Sequence, residues 1–479
     1  MSTPLLDPAR ARILPWLVAT AFFMETLDGT IVNTALPAMA KSLDANPLQM
    51  EAVVISYLLT VALLIPASGW VTDRFGVRPV FLFAIGLFSF GSLLCALSPS
   101  LPFLVGSRIV QGMGGALMVP VGRLSILKAY PRSQLVQVLS FITIPALIGP
   151  LLGPSLGGFL VDYASWHWIF LINLPVGLAG ALATLRFMPE LPVPEKPSPF
   201  DRVGFVLFGM FMVAATMAFE GIGELHLSYT PMVLLFLFGL CCLVVYCLRA
   251  RHEKSPLFSL DLFRIRNFSV GIFGNLFARL GNGAMPFLTP LLLQVGLGFS
   301  PFKAGLSLIP MTLAAMSVKR AVRPLLKRLG YRWLLFCNTL VLGALIAAFS
   351  FIDHNTPYPW ILALFTVFGM VNSLQFTAMN TLTLLDLPDN FASSGNSLLS
   401  VVMQVSIGMG VACAAAILWE FSGKAVTPGS PELLQAFHKT YYCLGAIAVM
   451  SSAIFLQARH TDGSEKYRPE AEEAKRRHQ

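Results

Sequence analysis

The chain has 479 residues, of which 56% are apolar and 12% charged, with a mean hydropathy of +0.72. A soluble domain is about one-quarter charged, so soluble enzymes, disordered chains, collagen and coiled coils are excluded. The apolar residues run in unbroken blocks and do not alternate, which excludes an outer-membrane barrel and leaves a polytopic all-α membrane protein. The formal charge of +9 comes from 33 Lys and Arg against 24 Asp and Glu. The basic residues sit in short loops, a membrane-topology pattern that needs no nucleic-acid partner.

A span needs about 20 mostly apolar residues. In chain order, fourteen stretches qualify: 13–37, 50–71, 79–99, 102–125, 136–160, 167–188, 203–220, 230–250, 268–295, 302–322, 332–352, 359–384, 395–420 and 437–458. The first is long and carries acids that a signal-peptide core avoids, so it reads as a span. The seventh is short and ends at Glu220; the tenth runs into Lys319 and Arg320. This threading places 27 Lys and Arg on one side and 4 on the other, which puts both termini in the cytoplasm.

Polar breaks divide the spans. Pro189–Asp201 is a Pro-rich, charged linker, and Arg249–Arg266 is a second polar stretch. The expected plan is a six-helix bundle over 1–188, a linker with two inserted helices over 189–266, a second six-helix bundle over 267–460, and a disordered tail over 461–479. The loop Asp73-Arg74-Phe75-Gly76-Val77-Arg78 recurs as Lys327-Arg328-Leu329-Gly330-Tyr331-Arg332. Arg, Gly and Arg keep their spacing, while Lys327 stands where Asp73 stood. Two related halves are the plan of many secondary transporters. The seven cysteines are odd in number and lack metal-ligand spacing, so they read as packing residues. No phosphate-binding loop, metal motif or nucleophile elbow is present in the sequence. The expected protein is a monomer in the lipid bilayer that is not an enzyme and uses no cofactor.

Ionisable groups inside spans cost about 2.5–3.5 kcal/mol each and are functional candidates by default. Four stand out: Glu25, Asp28, Arg108 and Arg279. Glu25 and Asp28 are three residues apart and share a helix face. Asp28 lies about 22 Å along the first span from Ile13, and Arg108 about 9 Å from the start of the fourth, at 1.5 Å per residue. In a core about 30 Å thick that leaves Asp28 about 8 Å below the far edge, which matches Arg108, so an Asp28–Arg108 pair is expected, either as a proton-coupling device or as a permanent structural pair. Arg279 falls near the midplane among Asn275, Asn282 and several Gly and Pro residues. It has two possible partners, a first-span acid or an anionic substrate. With Asn33 and Gln375, these residues form the candidate substrate site. In the fifth span Gly149, Gly153 and Gly157 line one face, and Pro150 and Pro154 the next, which suits close helix packing in lipid.

These motifs carry a resemblance. Gly69-Trp70-Val71-Thr72-Asp73-Arg74-Phe75-Gly76-Val77-Arg78 resembles the cytoplasmic signature of the major facilitator superfamily. Gly106-Ser107-Arg108-Ile109-Val110-Gln111-Gly112 is similar to its fourth-helix motif, and Gly149-Pro150-Leu151-Leu152-Gly153-Pro154 to the motif of its drug antiporters. Leu27-Asp28-Gly29-Thr30-Ile31-Val32-Asn33-Thr34 resembles the first-helix signature of the fourteen-span drug:proton antiporters of EmrB/QacA type. The resemblance implies a major facilitator fold in a bacterial inner membrane and proton-driven export of small hydrophobic, commonly cationic, drugs. Asp28, Glu25 and Arg108 would couple protons. Gly69, Asp73, Arg74, Gly76 and Arg78 would form a conformational latch, and the Gly149–Gly157 stripe would control leak and direction of exchange. An anionic metabolite or metal chelate is the alternative cargo, suggested by Arg279. A membrane sensor or scaffold is the alternative of another class.

Overall fold

The structure is a computed structural model describing residues 8–130, 132–190, 199–224, 229–253, 256–387, 392–422 and 429–458. Among the described residues there are seventeen α-helices and no strand. The first half comprises α1 (Pro8–Ser42), α2 (Glu51–Phe75), α3 (Val77–Ala96), α4 (Leu101–Ala129), α5 (Arg132–Tyr163), α6 (Trp168–Leu171) and α7 (Asn173–Phe187). An inserted pair follows, α8 (Arg202–Glu224) and α9 (Tyr229–Ala250). The second half comprises α10 (Arg266–Asn282), α11 (Met285–Leu291), α12 (Pro301–Ser307), α13 (Ile309–Ser317), α14 (Lys319–Ala348), α15 (Tyr358–Leu385), α16 (Ala392–Ser422) and α17 (Pro431–Phe455).

All fourteen expected stretches are mainly helical where described, and among the described residues eight helices meet a strict length-and-hydropathy standard for crossing a membrane. The seventh stretch is longer than expected and continues as helix to Glu224. The tenth is broken into α12, α13 and the start of α14, because Pro301 and Pro310 restart the chain at helix N-termini. The side chain of Glu220, most of the Pro189–Asp201 linker and the 461–479 tail lie outside the described residues.

The two expected loops shrink to single residues. Gly76 separates α2 from α3 at φ 89°, ψ 155°, and Gly330 interrupts α14 at φ 68°, ψ 166°. Both conformations lie where a Cβ is disfavoured, so glycine is required at each. The repeat seen in sequence is thus a repeated backbone turn. The side carrying these turns, the start of α1 and the end of α17 is the basic side; the other is the far side.

Four apolar cores hold the bundle. On the far side one core is shared by both halves, running from Ile31–Met39 of α1, Met50, and Val53–Ile55 of α2 to Ala284–Leu293, Phe365 and Phe437. On the basic side each half has its own core, one around Phe22, Phe81 and Phe88, the other around Leu335, Ala378 and Phe455. The fourth lies at the seam, where Ala62 of α2 meets Met212 of α8, Phe258, Phe268, and Leu398 and Val401 of α16. The halves therefore share a large core on the far side, while on the basic side each has its own core and the two meet along the α2–α8–α16 seam.

Candidate functional site

Five helices of the first half converge on one carboxylate. Arg108 Nη1 of α4 donates to Asp28 Oδ2 of α1 at 2.6 Å. Asp28 Oδ1 accepts from Gln111 Nε2 of α4 at 2.8 Å and from Asn173 Nδ2 of α7 at 2.9 Å. Arg108 also donates to Gln111 Oε1 at 2.6 Å and, through Nε, to the Val53 carbonyl of α2 at 3.2 Å. Ser92 of α3 accepts from both Gln111, at 2.8 Å, and Asn173, at 3.2 Å. The Arg108 guanidinium lies 4.2 Å from the Tyr57 ring centroid. Asp28 and Arg108 are 1% and 2% exposed. Charges this far from water persist only when paired and hydrogen-bonded, and both conditions are met here.

Glycines make this convergence possible. A Cβ at Gly91 would lie 2.4 Å from Gln111 N, so α3 and α4 touch backbone to backbone. A Cβ at Gly115 would lie 2.6 Å from the Tyr57 hydroxyl. The Asp28–Arg108 pair matches the depth arithmetic. Gln111, Ser92, Asn173 and Tyr57 were not singled out from the sequence, although a lone amide within an apolar stretch, as at Asn173, is a usable signal.

Glu25 separates from Asp28. It is only half-buried, and the charges acting on it are Asp28 and Arg123 of α4. Arg123 is exposed on α4 and lies 5.7 Å from the Phe22 ring centroid. Glu51 was also overlooked; it opens α2 on the far side and is buried.

The second half holds a different arrangement. Arg279 is 6% exposed, donates through Nε to Asn275 Oδ1 at 3.1 Å and lies 4.8 Å from the Phe376 ring centroid. Its Nη2 is buried with no hydrogen-bond partner, and no carboxylate pairs with it among the described residues. Among the described residues the pairing with a first-span acid is not formed: Arg108 occupies Asp28, and the cation that acts on Glu25 is Arg123. Asn282 donates to Asn372 Oδ1 at 2.8 Å, and Asn33 donates to the Gly29 carbonyl at 3.3 Å while its Oδ1 is unpartnered. Gln375 is fully buried, accepting from Asn338 at 2.8 Å and donating to Thr339 at 2.8 Å. Its amide is consumed in joining α15 to α14. Asn275 is likewise buried against Gly271, Thr383 and Arg279.

The glycine stripe of α5 faces α1. Cβ atoms at Gly149, Gly153 and Gly157 would lie 2.3, 2.2 and 2.5 Å from the hydroxyl oxygens of Thr26, Thr30 and Thr34. Glycine and threonine alternate across the contact with matching four-residue spacing. The contact between halves uses other residues. A Cβ at Gly158 would lie 2.3 Å from the Pro301 carbonyl oxygen of α12, and one at Gly305 2.1 Å from that of Pro154. Asp162 accepts from Phe302 N at 2.8 Å, and Gln294 donates to the Thr34 carbonyl at 2.9 Å. Pro150 continues α5, but its ring lies outside the described side chains.

At the basic-side turn, Asp73 lies in the last turn of α2, the end at which the helix dipole disfavours a carboxylate. Arg78 pairs with Glu190 at 2.7 Å. Arg74 is exposed, and Gly69 has open space where a Cβ would stand.

Two helical repeats enclosing buried charges and sharing a core on the far side define a multi-pass secondary transporter. Residues 18–411 match the family model of the Major Facilitator Superfamily, and the chain belongs to that superfamily, whose members are transporters and not enzymes. It is 50% identical to a protein of Serratia proteamaculans named multidrug resistance protein MdtD, with 92% of each chain covered. It is 48% identical to the protein of that name from Klebsiella pneumoniae subsp. pneumoniae, with 95% of this chain and 97% of that one covered. Among solved structures it is similar to the POT family transporter PepTSo (TM-score 0.69, 14% identity, 98% and 100% covered). It is also similar to a bacterial homolog of the human lysosomal transporter Spinster in an inward-facing, occupied conformation (TM-score 0.68, 15% identity, 97% and 100% covered). At these identities the structures speak for the fold alone.

Proposed function

We propose that the protein is a proton-coupled multidrug exporter of a bacterial inner membrane, with both termini cytoplasmic and alternating access between its halves. The names of its relatives support multidrug cargo. The single observation that carries proton coupling is the Asp28–Arg108 pair, sealed inside five helices of one half. Protonating Asp28 would remove one charge of a desolvated pair and leave Arg108 against neutral groups. Such a change is large enough to bias the packing of α1 against α4, and hence the equilibrium between conformations.

Hydrophobic cations are the cargo that fits exchange most simply. A cation and a proton would compete for Glu25, and competition at one acid gives antiport its sign. Arg123 of α4 and Asp28 are the charges that act on Glu25, so cargo or proton would bind there between a cation and a second acid.

The test is transport in proteoliposomes with Asp28→Asn. The amide keeps the shape but cannot carry a proton. Uphill export driven by a pH gradient should be lost while cargo binding survives without pH dependence. Gradient-driven export at near wild-type rate by this variant would overturn the assignment.

A second reading rests on Arg279, whose buried Nη2 has no partner. It would make the cargo an anionic metabolite or chelate. That cargo gains affinity when Glu25 is protonated, so exchange would then depend on Asp28 alone.

A further inference from the structure

The turn at Gly330 has no role in the transport reading above. Residues Lys319–Arg332 contain six basic side chains (Lys319, Arg320, Arg323, Lys327, Arg328 and Arg332) and no acid. The equivalent turn in the first half is balanced: it contains Asp73, and Arg78 pairs with Glu190 at 2.7 Å. At the second turn Lys327 and Arg328 are exposed, and neither forms an ion pair among the described residues. The nearby acid is Asp386 at the end of α15, which accepts from Asn267 at 2.8 Å and acts electrostatically on Tyr331. Arg332 lies 5.8 Å from the Trp333 ring centroid, and its Nε is buried without a partner.

Apolar residues flank this charge. Leu329 and Trp333 are each 46% exposed on either side of the turn. An exposed Trp beside cations at a span end marks the headgroup layer. Each Lys or Arg there adds attraction to an anionic leaflet.

We propose that the Gly330 turn binds an anionic phospholipid. Its phosphate would sit among Lys327, Arg328 and Arg332, and its chains along Leu329 and Trp333. The site is asymmetric between the halves because Lys327 replaces the acid of the first turn. Lipid bound there would hold the junction between the tenth and eleventh spans.

The experiment uses the purified full chain in neutral detergent, with thermal midpoints measured on adding phosphatidylglycerol, phosphatidylcholine or soluble glycerol phosphate. Phosphatidylglycerol alone should raise the midpoint, and the shift should shrink as salt is added. Lys327→Gln with Arg328→Gln should abolish the shift, whereas Arg74→Gln and Arg279→Ala should retain it. Should the double variant fold poorly, lipid adducts counted on the wild-type protein by native mass spectrometry decide. Retention of phosphatidylglycerol over phosphatidylcholine supports the site. Equal shifts with both lipids, an equal shift with glycerol phosphate, or a full shift in the double variant would overturn it.

Discussion

Gly153 lies so close to Thr30 that a methyl group in place of its hydrogen would come 2.2 Å from the threonine hydroxyl oxygen. Thr30 Oγ1 is itself turned back onto its own helix, donating to the Thr26 carbonyl at 3.0 Å. The hydroxyl also reaches the Gly149 carbonyl of α5 at 3.4 Å, and Gly153 supplies the room for that approach. Without a hydrophobic drive between helices in lipid, such backbone proximity is a main source of association.

Gly153→Leu should therefore insert normally but separate α1 from α5, with transport lost or leaky at wild-type membrane levels. Gly153→Ala should be partly restored by Thr30→Ala, which removes the offending oxygen. Protein level, transport rate and thermal midpoint measured on the four variants check this. Wild-type transport by Gly153→Leu would reduce the stripe to filler.

The glycine spacing was legible because a four-residue repeat means one helix face whatever lies opposite. Its partner was not, since Thr26, Thr30 and Thr34 look like ordinary helix threonines until α5 is placed against α1. The Asp28–Arg108 pair was legible because depth along a straight helix is simple arithmetic. The fate of Arg279 was not, because an acid that balances one arginine is unavailable to another, and sequence does not rank the two. Gln375 misled for a related reason: a mid-span amide serves a cavity and a helix junction equally well, and only packing distinguishes them. The turns were drawn too long because charged residues read as loop, although α2 and α14 carry them as helix up to a single glycine.

The contact between halves rests on Gly305, where a Cβ would lie 2.1 Å from the Pro154 carbonyl oxygen. Gly305→Leu should prevent the far side from closing. A cysteine placed at the half-buried Ser155 should then label faster from outside than in the parent. Equal labelling rates would mean that closure tolerates the bulk and depends on other contacts.

Asp201 anchors the inserted pair at the basic side. It accepts from Gly204 N at 2.8 Å, from Leu257 N at 3.3 Å, and from Arg249. Burial alone would raise its pKa, but the Arg249 hydrogen bond and the two backbone donors outweigh it and hold the carboxyl below its usual value. A depressed folded pKa means stability present at neutral pH and lost as pH falls through that lowered value. The thermal midpoint should thus be flat from neutral to mildly acid pH with respect to this group and fall only in stronger acid. Asp201→Asn should lower the midpoint at neutral pH and flatten that acid fall. An unchanged midpoint at pH 7 would show that Tyr246, bonded to Phe258 N at 2.8 Å, suffices to hold the pair.

Arg279 separates the two cargo classes. Its guanidinium is buried, shares one hydrogen bond with Asn275 and lies near Phe376, yet one nitrogen has no partner. An unpaired buried cation is costly, so Arg279→Gln should leave the thermal midpoint unchanged or raise it. If the cargo is anionic, its binding should fall by ten- to a hundredfold, the scale of one charge-assisted contact of about 1.5–3 kcal/mol. Arg279→Lys should recover part of that loss at most, because an ammonium cannot offer the planar fork that reaches Asn275 and a second acceptor together. If the cargo is cationic, Arg279→Gln should bind it as well as or better than the parent, since a repelling charge has gone. Binding isotherms for one organic cation and one organic di- or tricarboxylate, taken on parent and variant at the same pH, give the answer. Unchanged affinity for both ligands would remove Arg279 from the cargo site and leave its charge as a feature of the second half's packing.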